Sequence, residues 1–248
     1  MTSYFIKDFL IIFIGFFTGF FTSTTGAASL MLIPLLSLFG YPIVANIATV
    51  RVCSFLSMVP GLFVFHRANQ VNYKVALYAA IFSSVGAVIG AIFIINASTV
   101  LVKYTVAGLI VFAFLIWFLK DKISCRYKFN GLVQKLKHPL FILPGLLGGT
   151  VGGQAILSNI ILVPVFKQTY LMAAGTRKII GLVTAVIPIM MFASSGTIDW
   201  KLCIELGVPM LVGSYFGAIF GLKKGENFVK ALFFTIAFLA LLKMVFVT

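Results

Sequence analysis

Runs of about 20 apolar residues recur from one end of this chain to the other, with short loops between them. A helix of that length crosses the hydrocarbon core of a bilayer, and few other folds tolerate so many such runs. A transmembrane β-barrel would instead show short segments of alternating polarity, and the sequence has none. The chain is 61% hydrophobic and 10% charged, with mean hydropathy +1.14, whereas soluble domains are about 25% charged. The expectation is an all-α polytopic membrane protein without a separate soluble domain.

Ten segments are predicted, over residues 8–22, 29–39, 45–65, 75–95, 99–119, 138–147, 157–167, 173–193, 201–222 and 228–247. The first apolar run has Lys7 and Asp8 before it and no A-x-A-like site after it, so it reads as a membrane segment rather than a cleaved signal. Segments one and two, and six and seven, are short and meet at polar junctions. The first junction, residues 22–34, reads TSTTGAASLMLIP; the second, residues 148–164, reads GGTVGGQAILSNIILVP.

The chain repeats itself. Val71-Asn72-Tyr73-Lys74 matches Ile198-Asp199-Trp200-Lys201 at an offset of 127, and Gly86-x-x-x-Gly90 matches Gly213-x-x-x-Gly217 at the same offset. Thr49 maps to Thr176 and Arg51 to Lys178, while Pro34 reaches Pro164 at an offset of 130. The predicted organisation is a first repeat over 1–119, a basic linker over 120–138 and a second repeat over 139–248. Five crossings in each repeat force the halves into opposite orientations, with short broken helices opening each. The small-x-x-x-small pairs are read as helix-packing motifs.

Net charge is +14, from 19 Lys and Arg against 5 Asp and Glu. The basic residues fall mainly in short loops, where they set topology and meet anionic lipid, so no nucleic-acid role is inferred. Their bias makes the central loop cytoplasmic and puts both termini outside. Cys53, Cys125 and Cys203 have no metal or redox spacing and read as small apolar fillers.

Two interrupted segments at matching places in two halves point to a transporter's binding site. If the chain breaks at Gly26 and again near Gly152 and Gly153, each following half-helix offers free N–H groups, which suit an anion. Around these breaks lie Thr22, Ser23, Thr24, Thr25 and Ser29, and then Gln154, Ser158 and Asn159. Close packing of small residues is the competing account. Arg51, Arg177 and Lys178 sit inside predicted segments, where a cation is costly unless it serves a ligand or reaches the interface. Asn46, Thr49, Cys53 and Ser57 share one helical face, either a pathway wall or a packed face. Glu205, Asp199, His66 and His138 read as wetted or capping groups. No catalytic set, cofactor motif or metal-ligand cluster is present in the sequence, so an enzyme is not expected.

The order of Gly15, Gly19 and Gly26, Pro34-Leu35-Leu36, Gly40-x-Pro42, Ala45 and Ala48-Thr49 resembles the TauE/SafE family. The second copy adds Gly145, Gly148-Gly149, Gly152-Gly153, Pro164 and Thr176. The match covers nearly the whole chain. It departs from the family's usual GxGGG turn in carrying Thr25-Gly26-Ala27-Ala28-Ser29, and in Gln154. The resemblance implies ATP-independent movement of sulfur-containing anions, such as sulfite or organosulfonates, across the cell membrane. An exporter working by alternating access is expected, with coupling to protons or to the membrane potential. An anion channel of the same fold, or a carrier of another small anion such as a carboxylate or sulfate, is the alternative. The residues expected to contact substrate are Thr24, Thr25, Gly26, Ser29, Asn46, Thr49, Arg51, Gly152, Gly153, Gln154, Ser158, Asn159, Thr176, Arg177 and Lys178. Oligomeric state is left open.

Overall fold

The computed structural model describes residues 2–26, 32, 33, 35–37, 39–102, 104, 105, 108, 137–150, 152 and 154–225. Among these residues the only regular secondary structure is helix. Seven α-helices follow in order: α1 (Thr2–Thr25), α2 (Ile43–Arg67), α3 (Tyr73–Asn96), α4 (Ile142–Gly149), α5 (Gln154–Leu162), α6 (Tyr170–Ser194) and α7 (Trp200–Lys224). A 3-10 turn, Pro139–Phe141, leads into α4. Five of them, α1, α2, α3, α6 and α7, are long and apolar enough to cross a membrane. The tenth predicted segment, the fifth beyond residue 108, and the linker up to residue 136 lie outside the described residues.

Helix starts follow from local chemistry. Asn72 accepts from the Val75 N–H at 3.1 Å, Thr169 from Met172 at 3.2 Å and Asp199 from Leu202 at 3.0 Å. Each side chain satisfies a donor that the first turn leaves loose. The first helix runs further than its apolar stretch suggested, to Thr25 instead of residue 22. The Thr25 hydroxyl donates to the Phe21 carbonyl at 2.8 Å and Thr24 does so at 3.4 Å, so polar residues continue the helix by bonding to their own backbone. Thus the first segment is long enough to span, whereas α4 and α5 are short, with 8 and 9 residues. At 1.5 Å per residue each covers less than half of a ~30 Å core.

Packing pairs early helices with late ones. The α1 helix lies along α7, and α4 lies along α3; α2 packs on α7, and α6 on α3. The α2 and α6 helices also pack on each other and so join the two sets. The α1–α7 contact is close because Gly213 and Gly217 face the Phe16 and Phe20 carbonyls, while Gly15 and Gly19 face those of Leu206 and Met210. The α3–α4 contact repeats it: Gly86 and Gly90 face Ile142 and Leu146, and Gly145 and Gly149 face Ser83 and Ala87. A Cβ at any of these eight glycines would overlap a neighbouring backbone. Lipid tails give no hydrophobic drive between helices, so such backbone approach carries the association.

A second pair of contacts ties the long helices. Thr49 of α2 accepts from the Asp199 N–H at 3.0 Å, and Thr176 of α6 accepts from the Asn72 N–H at 3.1 Å. Each threonine thus holds the N-cap residue of the next-packed helix, α7 or α3, and all four residues keep the offset of 127. Between α2 and α7 the buried Cys53 and Cys203 thiols stand 3.8 Å apart within an apolar cluster.

Candidate functional site: a basic cavity at the helix breaks

The α1 helix ends at Thr25, and Gly26 after it has φ +72°, a left-handed conformation that costs little for a residue without a Cβ. The second break is built alike: Gly152 has φ +94° and its N–H reaches the Leu147 carbonyl at 3.0 Å. The α5 helix then starts at Gln154. Both breaks border one partly open cavity. Its wall comes from Thr22, Ser23 and Gly26 at the end of α1, and from Gly152, Gln154 and Ala155 at the start of α5. The α2 helix adds Ile47, Val50, Arg51, Ser54 and Met58, and α6 adds Ala174, Arg177 and Lys178.

Among the described residues, three cations and no acid line this space. Among the described residues the only ion pair joins Lys201 to Glu205 at 3.6 Å, and neither residue lines the cavity. The cations have different partners. Arg177 is 7% exposed and donates from Nε to the Ala173 carbonyl at 3.3 Å, from Nη1 to Thr25 at 3.1 Å and from Nη2 to Thr24 at 2.8 Å. Lys178 is buried and extends between α2 and α7; a Cβ on Gly61 would lie 3.0 Å from its Nζ and 3.1 Å from the Ser214 hydroxyl. Arg51 keeps a buried Nη2 without a hydrogen-bond partner among the described residues. The hydroxyls of Thr22, Ser23 and Ser54 share that condition. An unpaired buried polar group costs about 1–3 kcal/mol, and four of them border this cavity, two from α1 and two from α2.

The predicted residues divide accordingly. Gly26, Arg51, Gly152, Gln154, Arg177 and Lys178 meet at the cavity. Thr24 and Thr25 stand beside it and contribute their carbonyls to Arg177. Asn46 is turned away, donating to the Ser37 hydroxyl and the Tyr41 carbonyl at 3.1 Å each. Thr49 and Thr176 hold helix starts as described, and Ser158 and Asn159 are not on the wall. Ser29 and Gly153 lie outside the described residues. The polar stripe of α2, with Cys53 against Cys203 and Ser57 donating to the Ser54 carbonyl, is the packed face. The cavity face is the adjacent one, at Ile47, Val50, Arg51, Ser54 and Met58, which keeps helical spacing but is mostly apolar and so gives a weaker signal in the sequence.

A family model described as sulfite exporter TauE/SafE matches residues 11–244. The chain belongs to that family. A relative from Haemophilus influenzae, described as a probable membrane transporter protein, is 23% identical over 243 residues, 94% of this chain and 92% of that one. No solved structure matches. TauE/SafE membership, with five apolar helices long enough to span, makes this a multi-pass membrane protein with a role in transport rather than an enzyme.

Proposed function

We propose that the chain is a secondary transporter of a small oxyanion of the sulfite or organosulfonate kind, exporting it across the cell membrane by alternating access. One observation carries this reading: among the described residues, a cavity at two helix breaks is lined by three cations, no acid and three unpartnered hydroxyls. The groups without partners, the hydroxyls and Arg51, are all hydrogen-bond donors, as an oxyanion requires. The start of α5 at Gln154 adds the positive end of a helix to the same wall.

The reciprocal packing of α1 on α7 and α4 on α3 supports two inverted five-segment repeats, ten spans in all, related by an axis through the α2–α6 contact. The matched threonine latches support it too. Rocking one repeat against the other would then expose the cavity to either side in turn, with the linker cytoplasmic, both termini outside, and protons or the membrane potential driving net flux. The test is a thermal unfolding screen of the purified protein against sulfite, methanesulfonate, sulfate and acetate. A ligand of the native state raises the unfolding temperature with concentration. Stabilisation by sulfite or methanesulfonate is the expected result; none with any of the four would overturn the reading.

A further inference from the structure

Arg177 is the most heavily bonded of the three cavity cations, and its bonds go to a particular place. The last carbonyls of a helix have no partner within it, and they carry the negative end of its dipole. In α1 the Thr22 carbonyl is taken by the Gly26 N–H at 3.0 Å, while those of Thr24 and Thr25, beside the cavity, have no backbone partner among the described residues. Arg177, from α6, covers both with its two Nη groups, and its Nε is steadied by Ala173 one turn back on its own helix. Gly26 makes room for this: a Cβ there would collide with Nη1 and with Ala155.

From this we infer that Arg177 is a positioning residue. It masks the negative end of α1 and holds Thr22 and Ser23 in place, while Arg51 and Lys178 face the anion. The inference rests on the anion reading of the same cavity. Without the mask, two carbonyl dipoles would repel any anion on that wall. A planar fork that spans adjacent carbonyls is also something a lysine does not supply, since its ammonium is one compact donor centre. Charge alone therefore does not replace it.

The test uses purified full-length wild type, Arg177→Lys, Arg177→Gln and Arg51→Gln, with sulfite as the probe. Backbone hydrogen exchange is read in the peptide containing residues 22–26 without ligand, and sulfite affinity is read from thermal stabilisation. Exchange there is expected to quicken about tenfold or more in both Arg177 variants, as loss of a charged hydrogen bond predicts. Both should lose sulfite affinity to a similar degree. Arg51→Gln should lose affinity with exchange unchanged. If Arg177→Lys keeps wild-type exchange yet binds sulfite poorly, Arg177 is a direct ligand and the inference is overturned; wild-type affinity in Arg177→Lys overturns it as well. If wild type shows no response to sulfite, the anion reading fails, while the ligand-free exchange still decides whether Arg177 caps α1. Should Arg177→Gln not fold, Gly26→Ala, which pushes on the fork from the other side, supplies the second variant.

Discussion

At the end of α1, the loose carbonyls of Thr24 and Thr25 are held by a guanidinium from another helix. At the end of α4 the chain closes on itself: the Thr150 N–H reaches Leu146 at 3.1 Å, the Gly152 N–H reaches Leu147 at 3.0 Å, and the Thr150 hydroxyl reaches Leu147 at 3.0 Å. The first break is lined by unpartnered hydroxyls, whereas at the second Gln154 packs against Gly148, Gly181 and Thr184. Equivalent places in the repeat have become unlike: the first break is completed by a guanidinium from a distant helix, whereas the second closes through its own backbone and holds Gln154 against α4 and α6. A break completed from elsewhere is sensitive to how the helices sit, and a self-closed one is not.

The largest expected effect separates the two breaks directly. Gly26→Leu forces a side chain into a left-handed turn and displaces Arg177, together about 3 kcal/mol. Gly152→Leu brings turn strain of about 1–2 kcal/mol and leaves the bonds of Arg177 to Thr24 and Thr25 in place. Thermal unfolding of the two purified variants should show the first melting lower, and equal melting would break the comparison. Next come the glycine faces, where the two halves agree. Gly213→Ala and Gly86→Ala each press a methyl into a carbonyl and should each cost about 2 kcal/mol, read in the same melts; a large disparity would show that the two contacts are not equivalent. Third, Arg51→Gln should weaken sulfite binding about tenfold, since it removes a charged donor worth at least 1.5 kcal/mol; the melt shift against sulfite concentration measures it. Smallest are Thr49→Val and Thr176→Val, each losing one hydrogen bond worth about 1 kcal/mol. Chemical denaturation should find the two alike and their double variant additive, because they hold separate helix starts.

Much of this was legible in the sequence because membrane helices write themselves in length and apolarity. The long helices α2, α3, α6 and α7 match the predicted segments 45–65, 75–95, 173–193 and 201–222 to within three residues at each end. Both helix breaks carry a glycine of positive φ, Gly26 and Gly152. Two features misled. Hydroxyls at Thr24 and Thr25 looked like a break but bond back into α1, because a threonine can serve its own helix as easily as a ligand. On α2 the polar stripe at Asn46, Thr49 and Cys53 proved to be the packed face, since in lipid polar side chains are as useful between helices as in a pathway. The cavity wall beside it uses Ile47, Val50 and Met58, which no polarity pattern marks. Arg51 and Lys178 were legible by their cost, and Arg177's task was not, because it depends on a partner some 150 residues away in the chain.

The pairing of α1 with α7 has a consequence for biosynthesis. The face built on Gly15 and Gly19 meets its complement only when residues 206–217 have been made, close to 200 positions later. As the chain leaves the ribosome, α1 therefore enters the bilayer with its tightest surface unmatched. Such distant closure is intrinsically slow and leaves sticky intermediates. The first half therefore emerges with one close-packing face still awaiting the late helix that covers it.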